Sequence, residues 1–269
     1  MTNSHTALGI AQLVFYVPIV PVVAYLLHRN AKIRPRMAWW PLITFSLMRL
    51  AGGPVIIALE SNRGSLGLYI AAVILLNVGA IPLIIGTLGF IRIILMDNYS
   101  SNPRANKMAS LIRAGTLVAI CLLAAGGGVS SIGTESSQNL SRSLTLAGYI
   151  VLAAVLAILI GMALFFWRKR WTLLPSSQVI LRGPLLASPF LIIRTIYGIL
   201  EAALQNDVHS NFNPVLGNAV AFALMALLPE YITLLIYLYS GFSVAPDRGL
   251  GARGDGSTPL SEGADKSNV

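Results

Sequence analysis

Charged residues and metal ligands are both scarce in this chain. Only 11% of its 269 residues are charged, against about a quarter in soluble domains. Cys121 is the one cysteine, so no intrachain disulfide, cysteine-held cluster or paired-cysteine redox motif can form. Its position inside an apolar run predicts a small packed residue. The histidines His5, His28 and His209 are unclustered and lie at or beyond the ends of apolar runs. A histidine-box oxygenase or zinc hydrolase therefore lacks its ligands, and no metal is expected. Lys32, Lys107, Lys169 and Lys266 all fall in polar stretches, which excludes an intramembrane Schiff base. Asp97, Asp207, Asp247, Asp255 and Asp265 occur singly, so a magnesium-diphosphate site has no paired carboxylates. There is no glycine-rich phosphate loop, and no cofactor is expected.

What is abundant is apolar surface, with 55% hydrophobic residues and a mean hydropathy of +0.73. At about 20 residues per crossing, the apolar runs predict an all-α fold, a polytopic membrane bundle of seven transmembrane helices. The expected spans are residues 8–27, 38–59, 66–95, 108–129, 143–167, 179–204 and 215–239, within one transmembrane domain over 1–243. Polar loops are expected at Asp97–Lys107 and, rich in serine, at Ser130–Arg142. The tail over 244–269 is rich in Gly, Ser and Asp, too polar to offset its ordering entropy, and is expected to be disordered. Met1–Thr6 has no basic residue and no signal-peptide pattern, so the first apolar run is expected to remain as a helix.

The net charge of +9 is explained by topology rather than by nucleic acid. Twelve Lys and Arg residues flank the spans on the side of the first loop, against Arg63 and Arg142 on the other. That asymmetry predicts an outside N-terminus and a cytoplasmic C-terminus in the plasma membrane or endoplasmic reticulum, with the lipid bilayer as partner. Trp39, Trp40, Trp167 and Trp171 all sit on the basic side, where interfacial aromatics belong. In this topology the sequon at Asn139 faces outward and is expected to carry a glycan. The sequon at Asn98 faces the cytoplasm and is expected to stay bare.

A few polar residues interrupt the spans. Arg49, Arg194 and Glu230 stand deep in apolar runs, where a charge costs about 2.5 to 3.5 kcal/mol on insertion scales and requires a partner or a polar cavity. Arg194 and Glu201 are seven residues apart and share a helix face, as Arg49 and Glu60 do at eleven. Glu230 is the acid at the depth of both arginines, so an ion pair between spans is expected. With Asn77 these residues would line a central cavity for a small apolar or anionic ligand. The spacing of Phe45, Arg49 and Gly53 recurs in Phe190, Arg194 and Gly198, which suggests a 3+1+3 arrangement of parallel repeats.

Phe45-Ser46-Leu47-Met48-Arg49, Pro82-Leu83-Ile84, Ser188-Pro189-Phe190 with Arg194, and Glu230 ahead of Tyr237 resemble a family of fungal seven-helix integral membrane proteins of unknown function. The resemblance covers about Leu8 to Gly241. It implies a seven-helix fold and a fungal setting, in which some members accompany secondary-metabolite gene clusters. It implies no activity and no site residue. The expectation for function is a non-enzymatic protein, transporter- or receptor-like. The alternative is a membrane-embedded terpene cyclase or isomerase using Glu230 or Glu201 as general acid, since desolvation raises a carboxyl pKa. Fungal membrane terpene cyclases are similar in size and helix number, but their motif has no residue-by-residue match here.

Overall fold

A computed structural model describes residues 4–30, 38–62, 65–77, 79–99, 103–130, 134–205, 212 and 217–244. The tail beyond 244, the first basic loop over 31–37, and Asp207 and His209 lie outside the described residues, as does the side chain of Asn77. The helices are α1 (Ser4–Arg29), α2 (Trp40–Ser61), α3 (Leu66–Asn77), α4 (Ala80–Tyr99), α5 (Pro103–Ser130), α6 (Glu135–Arg168), α7 (Pro175–Ala203), α8 (Ala219–Phe222) and α9 (Leu228–Phe242). A single 3-10 turn, Arg170–Thr172, links α6 to α7. Among the described residues, seven stretches are long and apolar enough to cross a membrane. Two of these are composite: α3 and α4 make the third, and α8 joins α9 through a π turn, Ala223–Leu227, to make the seventh.

The centre of the bundle follows from helix composition. Fourteen of the 20 residues of α4 are buried, in keeping with a helix that is apolar on every side. It packs on α7, α2 and α9, while α1 lies along α2 and α5 along α6. The approach of α1 to α2 needs small residues, because a Cβ at Gly53 would stand 2.9 Å from the Gly9 carbonyl oxygen. Farther along, Leu26 and Trp39 close over Leu42, Phe90 and Tyr237 in one apolar core. Helix α5 is peripheral, and Cys121 on it is exposed rather than packed. The apolar run around Cys121 faces outward because in a bilayer an apolar face needs no protein cover.

Three boundaries depart from the expectations. Span three is split between Asn77 and Ala80 rather than continuous. The loop expected at Asp97–Lys107 shrinks, since α4 runs to Tyr99 and α5 starts at Pro103. The Ser-rich loop expected up to Arg142 is helix from Glu135 onward. A capping box starts it: the Thr134 hydroxyl accepts from the Ser137 N–H, and the Ser137 hydroxyl accepts from the Thr134 N–H. The 34 residues of α6 reach about 51 Å at 1.5 Å per residue, well beyond a hydrocarbon core of about 30 Å. Asn139 thus sits exposed on a helix rather than in a loop.

Side chains tie the ends of the spans at the basic side. Arg29 donates to the carbonyls of Phe242 and Val244 at 3.2 and 3.1 Å, joining the end of α1 to the end of α9. Asn98 joins α4 to the start of α7, accepting from the Leu174 N–H at 2.9 Å and donating to the Ser177 hydroxyl at 2.8 Å.

Candidate functional site

Arg49, Arg194 and Glu230 come from three different spans and meet in the interior, each no more than 1% exposed. Arg49 Nη2 donates to Glu230 Oε1 at 2.6 Å and also contacts Oε2. Arg194 Nε donates to the same Oε1 at 2.5 Å. Both guanidiniums reach a fourth group, since Arg49 Nη2 and Arg194 Nη2 donate to the Leu76 carbonyl at 3.1 and 3.3 Å. One carboxylate and one backbone carbonyl therefore hold two buried cations.

The break in span three explains how. Ending α3 at Asn77 frees carbonyls that a continuous helix would satisfy, and the end of a helix carries partial negative charge. Leu76 turns that carbonyl toward the arginines. The start of α4 lies at the same point with the opposite partial charge, and Gly79 packs against the Glu230 carboxylate and the Arg49 guanidinium. Only glycine fits at position 79, because a Cβ would collide with both groups. Pro82, in the first turn of α4, has no N–H to return to the α3 end, which keeps the two helices distinct.

Span seven is modified in a parallel way. Pro229 has no N–H to offer, and the turn before it widens, with the Leu228 N–H bonded to the Ala223 carbonyl. The π turn ends just before Glu230. Such turns are frequent at functional sites. Aromatic rings complete the enclosure. Arg49 lies over Phe45 at 5.9 Å and Arg194 over Tyr197 at 5.8 Å. Tyr149 of α6 also bonds Arg194, and it sits there because α7 presents Gly198 beneath its ring.

Of the other sequence candidates, Glu201 is half-buried on α7 and interacts electrostatically with Arg194. Glu60 borders a cleft lined by His5, Leu8, Ile56, Leu59 and Leu76. Asn139 is remote from the site. The sequence reading missed Gly79, the Leu76 carbonyl, Tyr149 and Tyr197. A glycine beside Pro82 in an apolar run was the available signal for the first two. Among the described residues no group of three His, Cys, Asp or Glu is placed to hold a metal ion.

A family model described as "Domain of unknown function (DUF7702)" matches residues 2–247 of the chain. The chain belongs to that family. No curated protein and no solved structure matches it. The match covers the whole bundle, so the three charged residues, the break in span three and the π turn in span seven belong to the family domain.

Proposed function

We propose that this membrane protein is non-enzymatic and transporter- or receptor-like, its polar centre changing arrangement when a small ligand binds. The observation that carries the reading is the position of the two-arginine, one-glutamate cluster where span three is broken and span seven takes a π turn. Interrupted backbone inside a membrane is tolerated where protein or a cavity covers it, and interrupted helices form the binding centres of many transporters. The cyclase alternative is weakened by the same geometry. Both oxygens of Glu230 are engaged by guanidiniums, so neither faces a substrate, and Glu201 is half-buried and interacts with the Arg194 guanidinium.

The 3+1+3 repeat is also favoured because spans three and seven each depart from regular α-helix just ahead of a proline, Pro82 or Pro229. The repeat is imperfect. Arg49 has Phe45 beside it, whereas Arg194 has Tyr197 and Phe190 is only half-buried. The resemblance to fungal proteins near biosynthetic gene clusters extends the reading to export or sensing of a secondary metabolite. The test is reconstitution of the purified protein in liposomes with candidate metabolites. Compounds should be recovered chemically unchanged, with uptake or saturable binding; conversion of any by the protein alone would overturn the reading.

The charge asymmetry supports an outside N-terminus and a cytoplasmic C-terminus. The expected outcome is a glycosidase-sensitive mobility shift lost in Asn139→Gln and kept in Asn98→Gln. The reverse pattern would invert the topology. Asn98→Gln should also lower thermal stability, by about 1 to 3 kcal/mol, because its side chain bonds both Leu174 and Ser177.

A further inference from the structure

We propose that the turn from α6 to α7 docks an anionic phospholipid, its phosphate held by Arg170 with Arg168 and Lys169 beside it. The mounting of Arg170 carries the inference. Its guanidinium lies over the ring of Trp167 at 4.7 Å and over that of Trp171 at 5.0 Å. Two indoles thus fix the cation in place. Among the described residues no oxygen accepts from this guanidinium, and no carboxylate pairs with Arg168, Lys169 or Arg170. Its planar fork of N–H donors is therefore positioned by the rings and open to a bidentate oxyanion. Arg29, toward the same end of the bundle, differs in donating to the carbonyls of Phe242 and Val244.

The turn also sits where a headgroup would be. Leu164 and Phe165 are exposed apolar residues near the end of α6, and the basic run begins at Arg168. Trp167 and Trp171, the latter 81% exposed, bracket that run, as indoles do at a membrane interface. Lys169 lies back over the Phe165 ring at 4.8 Å. The turn is held in shape by the Thr172 hydroxyl, which donates to the Lys169 carbonyl at 2.8 Å, and by the Leu173 N–H, which donates to the Arg170 carbonyl at 3.1 Å. Asn98 then ties the next residue, Leu174, to α4.

Charge selects among lipids. The acid that this junction brings near is Asp97, half-buried beside Asn98, and three cations against one acid leave the turn positive. An anionic phosphodiester answers both that excess and the Arg170 fork. Phosphatidylcholine offers the same phosphate, but its choline cation would face three like charges. The exposed indoles favour a lipid over a soluble phosphate, because they keep the turn at the bilayer surface.

The test uses the full chain in detergent micelles with Trp40→Phe as background, so that Trp167 and Trp171 are the exposed indoles and Trp39 stays packed in the core. The probes are phosphatidylglycerol and phosphatidylcholine carrying the same brominated acyl chains, which quench tryptophan on contact. The anionic lipid should quench at about tenfold lower concentration than the zwitterionic one. Arg170→Gln should remove most of that preference, whereas Lys107→Gln, the loss of an exposed cation at the start of α5, should keep it. Because the Arg170 guanidinium bonds no oxygen within the protein, its variant should keep an unfolding midpoint close to the parent's without added lipid. Equal quenching by the two lipids, or equal loss of preference in the two variants, would overturn the site. Displacement of the brominated lipid by inorganic phosphate or by polyglutamate, dependent on Arg170, would overturn the lipid as its occupant.

Discussion

Glu230→Gln is expected to destabilise the protein by about 3 to 5 kcal/mol, the cost of removing one partner from a buried ion pair. The substitution preserves size and shape, so the loss comes from charge. Glu230 Oε1 accepts from both Arg49 and Arg194. Without the carboxylate, two guanidiniums would press toward each other around the Leu76 carbonyl, the remaining acceptor they share. Arg194 would keep Tyr149 and the half-buried Glu201 as neighbours. Arg49 would keep the Leu76 carbonyl and the face of Phe45. Arg49 therefore becomes the costlier residue in the variant, and adding Arg49→Leu should restore more stability than adding Arg194→Leu. The readout is the unfolding midpoint in detergent, together with the yield of monodisperse protein.

Gly79→Val should be as damaging for a different reason. The valine side chain would occupy the space of the Arg49 guanidinium and the Glu230 carboxylate. Those atoms are ends of long side chains, but they cannot swing aside without breaking the contacts that hold them. A loss of about 3 kcal/mol or more is expected, since the substitution combines overpacking with separation of a buried pair. Gly161→Ala on α6 is the comparison, because a Cβ there meets nothing within 4 Å. It should be neutral or slightly stabilising, in line with the higher helix propensity of alanine. Equal tolerance at positions 79 and 161 would mean that the break in span three does not pack against the charges.

Seven spans and three interior charges were legible in the sequence because each contrasts with its surroundings. Twenty apolar residues in a row have few alternatives to a crossing helix, and an arginine within them stands out. The match in depth between Arg49, Arg194 and Glu230 came from counting residues within each run. The break in span three and the π turn in span seven were hidden because Gly79, Pro82 and Pro229 are ordinary in membrane helices, where neighbours decide whether such a residue kinks or divides the helix. Tyr149 and Tyr197 barely alter hydropathy, so their approach to Arg194 depends on how α6 and α7 pack. The early start of α6 was obscured because Thr134 and Ser137 cap it with small hydroxyl side chains rather than the usual glutamate or glutamine at the third position.

The central claim is that one carboxylate couples two arginines on different spans, and a double-mutant cycle tests it most directly. Unfolding free energies would be measured for Glu230→Gln, Arg49→Leu, Arg194→Leu and the two combinations with Glu230→Gln. Residues in one buried network show interaction energies of about 0.5 to 3 kcal/mol, whereas independent sites add to within about 0.3 to 0.5 kcal/mol. The structure predicts that each double mutant is more stable than the sum of its single losses by at least about 1 kcal/mol. Strict additivity for both arginines would contradict it.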